Sequence, residues 1–564
     1  MKKLLFILLI LISGNCFSQN YKITYQKSSN GNLIENQDLI WVYAFGNLTV
    51  VGTENVFTRK AQFPYEITVI DRDTINSFRQ IAYLNNDDSI STEDSTTLAK
   101  QTFEYSNDTK KILGYHCKKA KTIVNSNTIE FWYTDELKVK GSPTVLGQNL
   151  GLVLEMTRNG NFSITATAIN KTSFFPPILT PKKQVDALTY KDLLWKSRFT
   201  TISVFKDQII NFSDASTRGK AELSEAKSND SILRFANGTI AVRKVKFPEI
   251  KIGSQIFVDI TEQSNGDAYD RTGSFFMIPT DKELSFLNGL QNGAKTLPIY
   301  TNGNGKEYQG VISTENYNPL VELMRFFTPF GVKQYNYLEL KNKTWAENVL
   351  YRQDVTDLRS LLSGKEVWLG INIGNYDKGG HKVSANITIH TEEESKVKPT
   401  QIVPLFCTNN IMEMAGQEYG TMFNNDKGLE MTFNLDKPMK NCKLRYITTG
   451  HGGWENGDEF VPKKNSIYLD GKETFSFTPW RQDCGSYRLS NPASGNFPNG
   501  LSSSDYSRAN WCPGTVTNPI FIDLGDLDAG THTLQIKIPQ GLPEGGSFSA
   551  WNISGVLIGE LFKG

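Results

Sequence analysis

Apolar and polar positions alternate, or β-branched and aromatic residues cluster, along most of this chain. YKITYQ, FPYEITVID, TIEFWYT, SITATAI, QIFVDI, KVSANITIH, KLRYITT, THTLQIKIP and SAWNISGVLIGEL follow this pattern, each bounded by Gly, Asn, Asp or Pro. A period of two sends one face of a strand into a core and the other toward solvent. NSIYLDGKETFSF predicts a hairpin turning at Asp470 and Gly471, residue types that accept the positive φ of a two-residue turn. Helical spacing is confined to short stretches, chiefly NPLVELMRFF and DLRSLLSG. The pattern predicts an all-β protein.

Breaks in the pattern divide the chain. MKKLLFILLILISGNCFSQ has a basic start, an apolar run of about nine residues and a small, polar end, the layout of a secretory signal peptide over residues 1–18 cleaved after Ser18. The run is short for a bilayer, and no later apolar segment is long enough to span one. The mature protein is therefore expected to be secreted or periplasmic, without stable membrane insertion. Residues 19–170 read as a β-rich N-terminal domain. The Pro-containing stretch 171–225 reads as a connecting region, and two further β domains follow at 226–395 and 396–564, separated near EESKVKPT. DVTDLRSLLSGKEVWLGINI (354–373) and IDLGDLDAGTHTLQIKI (522–538) echo one another. Two similar β-sandwiches side by side would explain this echo and would place a ligand site in the cleft between them. Chance similarity of two turn-plus-strand pieces is the alternative.

Composition then removes whole classes of function. The 60 basic and 59 acidic residues nearly cancel, and no long basic run appears, which excludes the electrostatic footprint of a nucleic-acid binder. No G-x-S-x-G, H-E-x-x-H, Walker or C-x-x-C pattern occurs. The histidines (His116, His381, His390, His451, His532) show no metal-ligand spacing, so a His-based triad or a transition-metal site has little to work with, and an enzyme here would work with carboxylates, without a cofactor. Removal of the leader leaves five cysteines, an odd number. Cys484 and Cys512 flank a Gly-, Pro-, Ser- and Asn-rich loop that a crosslink would order, Cys407 with Cys442 forms a plausible second pair, and Cys117 reads as a buried thiol.

Candidate carboxylates lie in two Gly-rich loops. NGDAYDRTG presents Asp267 and Asp270 beside Tyr269 and Arg271, and GHGGWENGDEF presents Glu455, Asp458 and Glu459 beside Trp454. Acids with neighbouring aromatics suit a sugar, whose hydroxyls bind carboxylates and whose apolar face packs on rings. The same residues also make ordinary solvated turns.

YDR at 269–271, the acid of GDEF at 459 and above all SRANWCPG at 507–514 resemble the peptide:N-glycosidase F family, bacterial amidases that remove N-linked glycans from asparagine. The resemblance covers about residues 225 to 564, and the length and added N-terminal region are similar to the longer second type of that family. It implies two adjacent eight-stranded jelly-roll domains with the active site between them, and N-glycosylated peptides and glycoproteins as substrates; the protein is expected to be a monomer. Carried over by position, the essential aspartate falls on Asp270 and the arginine after it on Arg271. The arginine before the Trp-Cys pair falls on Arg508, and the assisting glutamate on Glu459. Tyr269, Asn372, His451, Trp454 and Trp511 are the implied substrate-binding residues, with Asn372 standing where the family has a second glutamate, and Cys484–Cys512 matches a family disulfide. On this reading Arg271 and Arg508 flank Asp270, favour its ionised form and fix its direction. Two rival functions share the scaffold: a non-catalytic carbohydrate-binding or adhesion protein, and an endoglycosidase cutting the chitobiose core. The N-terminal stretches GYHCKKA, IEFWYT and LGLVLEM resemble a small β domain of secreted bacterial proteins, a region that would guide access, bind glycoprotein or simply extend the structure.

Overall fold

A computed structural model of the chain describes residues 20–561 except 73–76, 179, 214–222, 224–225, 332–338, 392–397, 419, 453–456, 494–501 and 543–548. The expected signal peptide and Trp454 lie outside the described residues. The chain divides into two compact units, Met1–Phe199 and Thr200–Gly564.

The N-terminal unit is built on a thirteen-stranded sheet. Its first strand, Asn20–Ser29, lies at the centre and pairs with Ile40–Phe45 on one side and Phe162–Lys171 on the other. Alternation decides which side chains go inward: Tyr21, Ile23 and Tyr25 are buried while their neighbours are partly exposed. They pack with Val42, Phe131 and Leu152 on one face, and a second apolar cluster around Tyr43, Val50, Ile67 and Tyr83 forms on the other. A helix, Ala187–Lys196, follows, with the Asp186 carboxylate accepting hydrogen bonds from the Leu188 and Thr189 amides.

Two jelly rolls make up the second unit. Numbered in chain order, the eight strands of the first begin at Phe199–Ile210, Ile240–Lys246, Gln255–Ser264 and Thr272–Ile278, and continue with Val321–Phe327, Val349–Asp354, Glu366–Ile373 and His381–His390. Strands one, eight, three and six form one sheet, and two, seven, four and five the other. The second jelly roll has the same order. It comprises Thr400–Cys407, Leu429–Leu435, Met439–His451, Asn465–Leu469, Lys472–Phe477, Ile520–Leu527, Gly530–Lys537 and Ala550–Leu561. The echoed segments fall at the same place in both, where the sixth strand crosses to the seventh and the chain changes sheet. The Asp470–Gly471 turn has φ of 49° and 78°, as the hairpin reading requires.

Three expectations are corrected. Residues 199–210, placed in a connecting region, are the first strand of the first jelly roll. NPLVELMRFF contains no helix: Val321–Phe327 is a strand with every residue buried, because it lies between the two sandwiches and is covered on both faces. A bulge skips Leu323, since Phe275 pairs with Met324 and Phe276 with Glu322, and this turns Glu322 and Arg325 toward one another. Cys407 and Cys442 are buried free thiols. They lie on strands separated by Ala550–Leu561, Cys407 opposite Ser554 and Cys442 beside Gly559, so no disulfide geometry is available.

The two jelly rolls are joined through buried polar contacts. The Glu322 carboxylate accepts from Arg325, Asn409, Ser274 and Ser554, while Arg325 also donates to Thr449 Oγ1 and the Asn552 carbonyl. Arg445 of the second jelly roll donates to the carbonyls of Glu322 and Leu323. Val516–Thr517, a short strand from the second half of the chain, extends the first jelly roll's sheet beside Arg325 and Phe326.

Candidate active site

Asp270 sits in the loop between the third and fourth strands of the first jelly roll. The loop is pinned at both ends: Thr328 Oγ1 accepts from the Arg271 amide and donates to the Tyr269 carbonyl, and the Gly331 amide donates to the Ala268 carbonyl. Glu459 follows the third strand of the second jelly roll, where Asp458 anchors the chain by accepting from Trp551 Nε1 at 2.8 Å and from the Gly541 amide. Arg508 arrives from the Cys-linked loop. Its backbone exchanges two hydrogen bonds with Arg481, and the next residue, Ala509, donates to the Glu459 carbonyl. The Cys484–Cys512 disulfide forms as expected, and Trp511 Nε1 donates to the Gly450 carbonyl at 2.9 Å. Gly450 permits this approach, since a Cβ there would lie 2.7 Å from that of Ala509.

These three segments bring Asp270, Arg508 and Glu459 together. Arg508 is fully buried. Its Nη2 lies 3.0 Å from Asp270 Oδ2, its Nη1 contacts Glu459 Oε1, and Nη2 also donates to the carbonyl and hydroxyl of Ser503 at 2.6 and 2.7 Å. The guanidinium lies 4.2 Å from the Trp511 ring, which stacks on Phe327 at 4.3 Å. Asp270 Oδ2 is buried, and its contact with Arg508 is a close ion pair without a directed hydrogen bond. Asp270 also borders a cavity of about 220 Å³ lined by Asn372, Asn409, Asn410, Glu413 and Asn552.

Burial pushes the Asp270 carboxyl above its ordinary range despite Arg508 and Arg271. Both guanidiniums favour its ionised form, and desolvation outweighs them. Burial also raises Glu459, to about 8, with Arg508 opposing and Asp270 adding to the shift. Two carboxyls share one cation, so their titration belongs to the pair.

Arg271 is directed elsewhere. Its Nε and Nη2 donate to the two oxygens of Asp267 at 2.6 and 3.2 Å, and it acts on Asp270 only through its charge. Asp267 in turn meets His381 Nε2 at 3.3 Å, and His381 Nδ1 meets Glu262 at 2.8 Å. Burial opposes the charges here too, but the hydrogen bonds from His381 and Arg271 bring Asp267 to about 2. The hydrogen bonds that His381 donates to Asp267 and Glu262 raise its own pKa to about 9 against burial.

The remaining predicted residues are distributed around this centre. Tyr269 is exposed, with Arg271 5.0 Å from its ring. Asn372 Nδ2 donates to the Thr239 carbonyl at 3.0 Å. His451 lies between Thr449, 2.8 Å from its Nε2, and the rings of Phe327 and Trp511. Burial and the charges of Arg325 and Arg508 push its pKa down to about 3. Ser503, Asn409 and Glu413 were not read from sequence, because a Ser within SSSDYS and polar residues after a strand carry only loop signals. Among the described residues, no group of three or more His, Cys, Asp or Glu is placed to hold a metal ion.

Paired jelly rolls with two partly exposed carboxyls gripped by one buried arginine at their junction define a double jelly-roll protein with a carboxylate centre. "N-glycanase peptide, N-terminal domain" matches residues 23–192, "Peptide-N-glycosidase F, N terminal" residues 201–389 and "Peptide-N-glycosidase F, C terminal" residues 418–558. A solved structure of PNGF-II in space group P21 is 56% identical, covers 96% of this chain and 100% of its own, and superposes with a TM-score of 0.88. A second PNGF-II structure, in space group C2, is 55% identical, covers 97% of this chain and 99% of its own, with a TM-score of 0.85. The chain belongs to the peptide-N-glycosidase F family. No curated protein matches the sequence.

Proposed function

We propose that this protein hydrolyses the amide linking asparagine to the innermost N-acetylglucosamine of N-glycans, on peptides and glycoproteins reached after export. The observation that carries the reading is the Asp270–Arg508–Glu459 arrangement, in which one buried arginine holds two acids that each stay 15% exposed, with Asp270 bordering the cavity. Ionised Asp270 takes a proton from water, whose oxygen attacks the side-chain carbonyl carbon of the asparagine. The C–N bond then breaks, and a protonated Glu459 supplies the proton that the departing glycosylamine nitrogen takes up. Arg508 spaces the two acids and compensates charge as the proton moves between them. Asparagine becomes aspartate, and the glycosylamine decays in water to the free glycan. No step needs a metal or organic cofactor.

Mass spectrometry of a treated glycopeptide tests this. Loss of the whole glycan with a gain of about 1 Da over the unglycosylated Asn peptide is expected. One sugar retained on the asparagine would instead identify an endoglycosidase, and an unchanged peptide a binder.

A further inference from the structure

The N-terminal unit holds a cavity of about 490 Å³ that the proposed reaction does not use. This is within the range of small-ligand pockets, about 300–1,000 Å³. One wall is a ladder of rings. Tyr65 and Tyr83 are direct cross-strand partners with centroids 4.9 Å apart, and Phe63 stacks on Tyr65 at 5.2 Å. Phe57, from the short helix Glu54–Phe57, lines it too, held by edge contact with Tyr43 at 5.1 Å. The neighbouring part of the same aromatic face is covered by the chain itself, Phe174 lying on Tyr43 at 5.9 Å and Phe175 on Phe45 at 5.0 Å. Phe63 stays about two-fifths exposed.

Two polar side chains complete the lining, Arg59 and Asn86. Among the described residues neither the guanidinium nor the carboxamide has a partner, and Arg59 is the single charged residue of the lining. Its backbone is left-handed, with φ of 60°, just after the helix where Gly or Asn is the ordinary choice. A guanidinium is therefore presented at a position that backbone energetics alone would give to a smaller residue.

We propose that this cavity is a second carbohydrate site, for a pyranose carrying a carboxylate. The exposed ring of Phe63, at the end of the ladder, takes the apolar face of the sugar, Arg59 pairs with its carboxylate and Asn86 bonds its hydroxyls. The assignment goes beyond the proposed hydrolysis and does not require it, because the sugar is bound here and not cleaved.

The test is a saturation-transfer and titration experiment on the full chain with the methyl glycosides of N-acetylneuraminic acid and glucuronic acid, and with neutral methyl N-acetylglucosaminide as comparator. The acidic glycosides should bind at least about tenfold more tightly than the neutral one. Arg59→Gln and Phe63→Ala, both at exposed positions, should each weaken that binding about tenfold, with thermal midpoint and hydrolysis of a small glycopeptide unchanged. Asp270→Asn should abolish hydrolysis and leave acidic-sugar binding intact, so the two assignments fail separately. No detectable binding, equal binding of the neutral glycoside, indifference to Arg59→Gln or Phe63→Ala, or loss of binding in Asp270→Asn would each overturn the site.

Discussion

Two acid–arginine clusters lie a few residues apart in one loop and behave oppositely. In the Asp267 cluster each Arg271 donor meets a carboxylate oxygen, His381 bridges to Glu262, and the charges are held so firmly that Asp267 falls to about 2 and His381 rises to about 9. In the Asp270 cluster one arginine serves two acids, an oxygen is left without a directed bond, and burial raises both carboxyls. Burial is common to both; hydrogen-bond saturation is not. A saturated ion cluster fixes a loop, whereas an unsaturated one keeps a proton close to transfer.

The comparison breaks most visibly at Asp270. Asp270→Asn should lower kcat by about 10³- to 10⁴-fold, since general-base assistance is removed, while the melting temperature holds or rises. Retained turnover would transfer the role to another group. Asp267→Asn should do the reverse. Breaking a buried pair costs about 3–5 kcal/mol, so chemical denaturation should show a large loss of stability, with residual activity tracking the folded fraction.

A pH series separates the clusters further. The folded pKa of His381, about 9, exceeds its ordinary value of 6.5. Its stabilisation is therefore complete below 6.5 and lost as pH rises through about 9, a change of about 3 kcal/mol. Asp267, lowered to about 2, contributes above its ordinary 3.8 and loses that contribution as pH falls through 2. Unfolding free energies measured from pH 5 to 10 should decline over the upper window, and His381→Gln should flatten the decline. The smallest effect concerns Glu459. If its protonated form donates to the leaving nitrogen, activity falls as pH passes about 8, and Glu459→Gln should cost about 10²-fold while removing that basic limb. A limb that survives the substitution assigns the proton elsewhere.

Much of this was legible along the chain. Period-two alternation located the strands because a half-buried strand repeats every second residue whatever surrounds it. The echo at 354–373 and 522–538 proved to be the same sheet-changing connection in two sandwiches of identical strand order. Where the alternation was absent the reading failed, and Val321–Phe327 is the instructive case. A strand buried on both faces loses its polar half, and its Glu322 and Arg325 then mimic a helical ion pair until the bulge is seen. Cys407 and Cys442 were equally opaque, since residue type records that a thiol is buried but not which strand stands between two of them.

The sequence by itself determined local matters: which segments are strands, where Asp470–Gly471 turns the chain, and which short runs carry acid, arginine and aromatic side chains together. Tertiary structure decided the pairings. It alone sent Arg508 to Asp270 and Glu459, because these partners are brought together by the meeting of two sandwiches and not by spacing along the backbone, and it alone turned Arg271 back to Asp267 within its own loop. It alone also moved the pKa of the two acids upward, since desolvation depends on everything packed around a carboxyl, most of it distant in the chain.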